Sequence, residues 1–239
     1  MRYAGTELEL FAQAVGWKRY VRDVLRPFIG GHVLEVGAGM GAFTQGLTDI
    51  PCRSWCCLEP DPVLSERLDR RRSHGDFPRP VEVVRGTLAD LGGERRFDTI
   101  LYLDVLEHVA EDGAEAEAAA RRLACGGRIV VLAPAFQMAY SSFDAAVGHH
   151  RRYTRQSLER LRPKALKTEA SLYLDAPGLA LSLANRLLLR AAEPKAGQIL
   201  FWDRHVIPLA RILDPLVGHS FGRSVVAVWQ KAGAAATWG

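Results

Sequence analysis

The residues of this chain best placed for chemistry are three glycines at alternate positions behind a carboxylate, V-L-E-V-G-A-G-M-G from Val33 to Gly41. An apolar run that breaks into glycines reads as a strand whose end passes close under a ligand, followed by a turn and a helix start. Gly37, Ala38 and Gly39 would line that turn. Glu59, beside Pro60 in L-E-P-D-P, ends a second apolar run roughly 20 residues further on, where an acidic side chain can take both hydroxyls of a ribose. A second reactive group is G-H-H-R-R-Y-T, Gly148 to Thr154. Histidine accepts a proton near neutral pH, and arginine fixes a carboxylate or phosphate. His149 or His150 is the expected base, with Tyr153 as a positioning hydroxyl. The alternative is a structural loop in which Asp144 pairs with one of the arginines.

Glu35 discriminates between ligands. A carboxylate at the mouth of a turn meant for pyrophosphate would set like charges against each other, whereas a ligand with a cationic end suits it. S-adenosylmethionine, with its amino group and sulfonium, is the expected cofactor. Glu35 would serve it through charge-assisted hydrogen bonds to the amino group or by fixing the loop. Gly37-x-Gly39 with Ala42 also satisfies the relaxed dinucleotide fingerprint, which keeps a nicotinamide-dependent oxidoreductase as a competing reading.

These residues need a scaffold, and apolar runs alternating with helical spacing supply one. Leu8, Phe11, Ala12 and Val15, then Tyr20, Val21, Val24 and Leu25, predict an N-terminal helical segment that stops at Pro27. Three further apolar runs follow the first two: V-E-V-V-R-G-T-L-A-D-L (Val81 to Leu91), F-D-T-I-L-Y-L-D-V-L-E-H-V (Phe97 to Val109) and G-G-R-I-V-V-L-A-P-A (Gly126 to Ala135). Helices fall between them, which predicts βαβ units and a parallel sheet covered on both faces. Tyr140 to Arg155 reads as a loop, Thr154 as the N-cap of a helix to Leu161, and Leu166–Leu174 and Ser224–Gln230 as strands. The 239 residues, 48% of them hydrophobic, suffice for one buried core. A net charge of +4, with Arg70, Arg71 and Arg72 read as a solvated helix end, disfavours nucleic acid. A polar N-terminus and the lack of any long apolar run predict a cytoplasmic protein without stable membrane insertion. Cys52, Cys56, Cys57 and Cys125 contain no C-x-x-C pair and read as buried thiols.

Taken in order, these motifs resemble a class I S-adenosylmethionine-dependent methyltransferase from about Val33 to about Leu161. The resemblance implies an α/β, Rossmann-like three-layer sandwich: a mostly parallel seven-stranded sheet with an antiparallel last strand, preceded here by N-terminal helices. It makes residues 1–239 one methyltransferase domain, with a helical segment over 1–29, a cofactor-binding core over 30–174, a helical insertion over 175–222 and the last strand over 223–231. The insertion, with apolar stretches at Leu179 to Leu189 and His205 to Leu216, would be a lid, a substrate wall, a buttress or a subunit contact such as a homodimer uses. Thr87 and Leu88 would flank adenine, and Asp104 would approach the methionine moiety or the substrate. His108, in L-E-H-V, would be a packing or cofactor-proximal residue. Metal-dependent members of the fold cluster carboxylates beside the acceptor, and no such set can be assembled from this sequence, so no metal is expected. The implied activity is methylation of a small molecule at oxygen, nitrogen or carbon in biosynthetic metabolism. A different reaction on the same fold, or a scaffold role, would look alike in the cofactor loop. The tail after Lys231 reads as disordered.

Overall fold

The computed structural model describes residues 7–188 and 196–233. Seven strands form one sheet: β1 (His32–Val36), β2 (Ser54–Glu59), β3 (Glu82–Arg85), β4 (Phe97–Leu103), β5 (Leu123–Pro134), β6 (Leu166–Leu174) and β7 (Ser224–Lys231). Their order is β3-β2-β1-β4-β5-β7-β6, with β7 antiparallel to both of its neighbours and the first five parallel. The chain runs outward from β1 in one direction and from β4 in the other. The β1–β4 boundary is therefore the switch point, and doubly wound sheets bind their ligands outside the carboxyl ends of the strands at such a point.

Apolar residues fill both faces of the sheet, as a doubly covered parallel sheet requires. Val33, Leu101, Leu103 and Val130 pack to one side, while Leu34, Ile100, Tyr102 and Ile129 pack to the other. The first face is covered by α2 (Val15–Leu25), α3 (Ala42–Leu47) and the helices that precede β7, and the second by α5 (Asp112–Arg122) and α7 (Arg155–Leu161). On the β2 side, α4 (Pro62–His74) starts at an Asp61 N-cap whose carboxylate accepts from the amides of Val63 and Leu64.

The N-terminal helical spacing divides into α1 (Glu7–Ala12) and α2. Between Tyr140 and Arg155, expected as a loop, lies α6 (Ser142–Ala146), started by a capping box of Ser141 and Asp144. The insertion folds into α8 (Ala176–Leu188), α9 (Ala196–Phe201), a π-helical turn over Trp202–Val206 and α10 (Ile207–Leu216). Leu189 and the tail from 234 onward lie outside the described residues. All four cysteines are free; Cys56 and Cys57 are buried as expected, but Cys125 is exposed and Cys52 half-buried. Among the described residues no helix is long and apolar enough to cross a membrane.

Candidate active site

The three glycines at the end of β1 all have positive φ, at 66° for Gly37, 58° for Gly39 and 79° for Gly41. Glycine adopts this conformation without the Cβ penalty that other residues meet. Beyond that, their surroundings differ. A Cβ on Gly37 would lie 2.8 Å from Val105 Cγ2, and one on Gly41 would lie 2.7 Å from Leu68 Cδ1. A Cβ on Gly39 would meet no protein atom within 4 Å. The loop is therefore packed from beneath at its two ends and open above its middle glycine.

Glu35 corrects one expectation. Its side chain is buried, and Oε2 accepts from Thr44 Oγ1 at 2.8 Å and from Trp55 Nε1 at 2.9 Å. Burial raises its carboxyl to about 7, against the lowering effect of those two hydrogen bonds. The carboxylate thus ties the start of α3 to β2 beneath the glycine loop instead of standing free at its mouth. Of the two roles expected for it, this geometry is that of fixing the loop.

Glu59 sits where the spacing put it. Its Oε2 accepts from the Gly39 amide at 2.7 Å and its Oε1 from the Asp61 amide at 2.9 Å, which leaves each oxygen a lone pair for a further donor. Pro60 beside it is exposed. Beyond β3, Thr87 is exposed and caps a 3₁₀ turn over Leu88–Asp90, its amide and hydroxyl both donating to Asp90 Oδ2. Leu88 is buried in the core beside it.

On the acceptor side, Asp104 follows β4 with φ of 55°, a left-handed conformation that costs energy for a residue with a side chain and recurs at functional sites. The residue is exposed at the strand end, yet its carboxyl is surrounded by protein. Desolvation there raises its carboxyl to about 6 against the attraction of His149, Arg223 and Lys18. Next come Glu107, fully buried, and His108, whose ring lies 4.6 Å from that of His149 in an edge-to-face contact. Neither carboxylate oxygen of Glu107 has a hydrogen-bond partner among the described residues, and Oε1 stands 3.9 Å from His149 Nε2.

The G-H-H-R-R-Y-T segment separates into residues that face this cluster and residues that do not. His149 Nδ1 lies 2.8 Å from Asp144 Oδ1. A carboxylate only accepts, so Nδ1 carries the proton and Nε2 is turned toward Glu107. Arg152 grips the same Asp144 through two bonds, of 2.8 and 2.9 Å. Burial works against ionisation of Asp144, but the bonds from His149 and Arg152 outweigh it and hold the carboxyl well below its usual range. The expected Asp144–arginine pair and the histidine thus belong to one unit. His150 is exposed, and what ties it down is its amide, which donates to the Glu107 carbonyl at 2.7 Å. Tyr153 is buried, with its hydroxyl against Asp112 Oδ2 at 2.7 Å and the Leu106 carbonyl at 3.0 Å. It pins the segment to the loop after β4, so its hydroxyl does not position an acceptor.

Lys18 and Arg223 act on Asp104 electrostatically and were not singled out from sequence, where neither lies in a motif. Lys18 donates to the carbonyls of Phe11, Ala12 and Ala14, and burial lowers its ammonium to about 8 against Asp203 and Asp104. Arg223 lies over the Trp202 ring at 4.1 Å and beside Asp175 at 3.6 Å. Three acids fasten the insertion to α2 and β6. Asp203 accepts from the amides of Gly16 and Trp17, at 2.9 and 2.7 Å, and so caps α2 from 186 residues away. Asp214 accepts from the Tyr20 hydroxyl and the amides of Asp175 and Ala176. Asp175 accepts from Trp202 Nε1 and the Gly178 amide.

A glycine turn over an open space, an acid at the end of the second strand and a switch point between β1 and β4 define a nucleoside-cofactor enzyme of the doubly wound class. The sequence profile of the methyltransferase domain family matches residues 11–165, and the chain belongs to that family, whose class I members use S-adenosylmethionine. Among solved structures the fold is shared with an S-adenosylmethionine-dependent methyltransferase from Clostridium acetobutylicum, at 9% identity over 91% of this chain and 92% of that one, with a TM-score of 0.56. It is shared also with the N-methyltransferase NodS from Bradyrhizobium japonicum bound to S-adenosyl-L-homocysteine, at 13% identity over 95% and 93%, TM-score 0.59. A third is the [4+2]-cyclase SpnF, at 17% identity over 90% and 81%, TM-score 0.61. No curated protein matches the sequence. The residues present fit the cofactor: the space above Gly39 is open, and Glu59 retains acceptor capacity for a ribose.

Proposed function

We propose that this protein transfers the methyl group of S-adenosylmethionine to a small-molecule acceptor received between Asp104 and His149. Gly37, Ala38 and Gly39 would cradle the methionyl end of the cofactor, Glu59 and Pro60 the ribose, and Thr87 with the Leu88 backbone the adenine. Glu35 would hold the glycine loop in shape. The sulfonium is already a good leaving group, so the protein has to align the acceptor, keep water out and receive a proton. The observation that carries the reading is the Asp144–His149 pair, whose Nε2 lies 3.9 Å from Glu107 Oε1 in the turn that follows β4. That histidine has the fixed tautomer and orientation expected of a group that handles an acceptor's proton. The net charge is only +4, which favours a small acceptor over a nucleic acid.

Incubation with methyl-labelled cofactor and a panel of small alcohols, phenols, amines and carbon acids, read by mass spectrometry, tests the assignment. A labelled product is expected. His149→Ala should lower its rate about a hundredfold or more, the usual contribution of a positioned proton acceptor, while His150→Ala stays within about threefold of the parent. Cofactor binding without product from any acceptor class would point to a non-methylating reaction on this fold. Equal losses at both histidines would refute the placement of the acceptor.

A further inference from the structure

Folding assembles a donor set that the sequence left scattered. One ligand atom each from Glu107, His108 and His149 lies within 4.8 Å of the other two. Bonds of about 2.0 to 2.2 Å around one ion would place such atoms about 3 to 3.5 Å apart, so modest side-chain rotations close the set. Two observations point to a ligand. First, Glu107 is fully buried, and neither of its oxygens has a partner among the described residues. A buried acid left unbonded costs free energy that a cation would recover. Second, each imidazole is oriented through one nitrogen: His149 through Asp144 at 2.8 Å, His108 through the Gly148 backbone. Metal-binding histidines are characteristically held this way, by a carboxylate or a carbonyl on the nitrogen that does not ligate.

We propose that Glu107, His108 and His149 form a binding site for a divalent first-row transition metal such as zinc. Two imidazoles and one carboxylate are a donor set of borderline softness that selects such ions over magnesium or calcium and leaves coordination positions open. Asp104 lies close enough to Glu107 and His149 to interact with both electrostatically. The role of the ion rests on the reading that the acceptor enters here. An acceptor hydroxyl bound to it loses its proton to solvent more readily, its oxygen attacks the methyl carbon, and the carbon–sulfur bond breaks with its electron pair retained by sulfur as S-adenosylhomocysteine. Without the ion His149 receives the proton as proposed above; with it, His149 serves as a ligand and the ion activates the acceptor.

The binding itself is testable without turnover. The full-length protein, stripped with chelator and dialysed, is titrated with zinc by calorimetry and with cobalt(II) by visible absorption. One equivalent per chain is expected, with a Kd of about 1 μM or below. The cobalt bands should have the intensity of a low-coordinate site. Glu107→Gln and His108→Ala should each weaken binding at least tenfold and Asp144→Asn about ten- to a hundredfold, while His150→Ala leaves it unchanged. Retained S-adenosylhomocysteine binding certifies that each variant is folded. Absence of stoichiometric binding by the parent protein, or binding that survives in the folded Glu107→Gln, His108→Ala double variant, overturns the site. Loss of binding in His150→Ala overturns it as well, because the metal would then sit on the surface. A protein that binds metal but methylates nothing would leave the site standing and refute only the proposed activity.

Discussion

Replacing Glu35 by glutamine should make the protein more stable at neutral pH and leave it nearly unchanged in acid. The wild-type carboxyl is raised from 4.5 to about 7 in the folded protein because it is buried under the glycine loop. Between those two values the unfolded chain has released its proton while the folded one still holds it. The contribution is thus fully present below pH 4.5 and is lost as pH rises through about 7, so stability falls over that window. At 1.36 kcal/mol per pH unit, a gap of about 2.5 units amounts to about 3 kcal/mol. Glutamine does not titrate, and its carbonyl oxygen can accept both bonds that Oε2 now accepts from Thr44 and Trp55. The difference in unfolding free energy between variant and parent should therefore grow by about 3 kcal/mol from pH 4.5 to 7.5, or about 6 to 12 °C in Tm. Urea unfolding at fixed ionic strength across that range measures it. A difference that stays constant with pH, or shrinks as pH rises, would refute the raised carboxyl at this position.

The glycines should separate by mechanism. Gly39→Ala, which meets no protein atom, should cost about 1 to 2 kcal/mol of stability from its positive φ but weaken cofactor binding strongly, whereas Gly37→Ala, pressed against Val105, should cost more stability. Chemical denaturation paired with calorimetry of S-adenosylhomocysteine binding distinguishes them, and equal effects at both sites would place the cofactor elsewhere. Glu59→Ala should weaken cofactor binding by about 1.5 to 3 kcal/mol for each charge-assisted bond lost to the ribose, and unaltered affinity in a folded variant would remove it from the site. Asp203→Ala should expose the amides of Gly16 and Trp17 to hydrogen exchange, with the central strands still protected. Continued protection would mean that α2 needs no cap from the insertion.

The sheet was legible because its signals are local. Strand β6 runs from Leu166 to Leu174 as its apolar pattern predicts, and Thr154 caps α7 by accepting from the Ser157 amide. Glycines, Glu59 and the loop after β4 also stand where their spacing puts them, because a parallel sheet brings every strand end to one edge. The missed features depend on partners far away in the chain. Nothing near Gln13 announces a break between α1 and α2, since the cap is Asp203. Glu35 reads as a ligand-facing acid until Trp55 is seen to hold it. Glu107 and His108 gain their meaning only beside His149, about 40 residues on. One miss was local: Ser141 and Asp144 have the spacing of a capping box, which signals α6 directly.

The cap that Asp203 places on α2 also sets an order of assembly. Strands β1 to β5 pair across at most 66 residues, as between Val33 and Thr99, but Gly16 and Trp17 must wait for a residue 187 and 186 positions later, and Tyr20 for Asp214, 194 later. Closing such long loops comes late in folding, and on the ribosome the first helices emerge well before their partners. Pulse-labelled hydrogen exchange should find the amides of Gly16 and Trp17 gaining protection together with α10 and after β1. The helix that carries Lys18 is then made first and finished last, so a half-folded chain already has its glycine loop and Glu59 in place while α2 still lacks its cap.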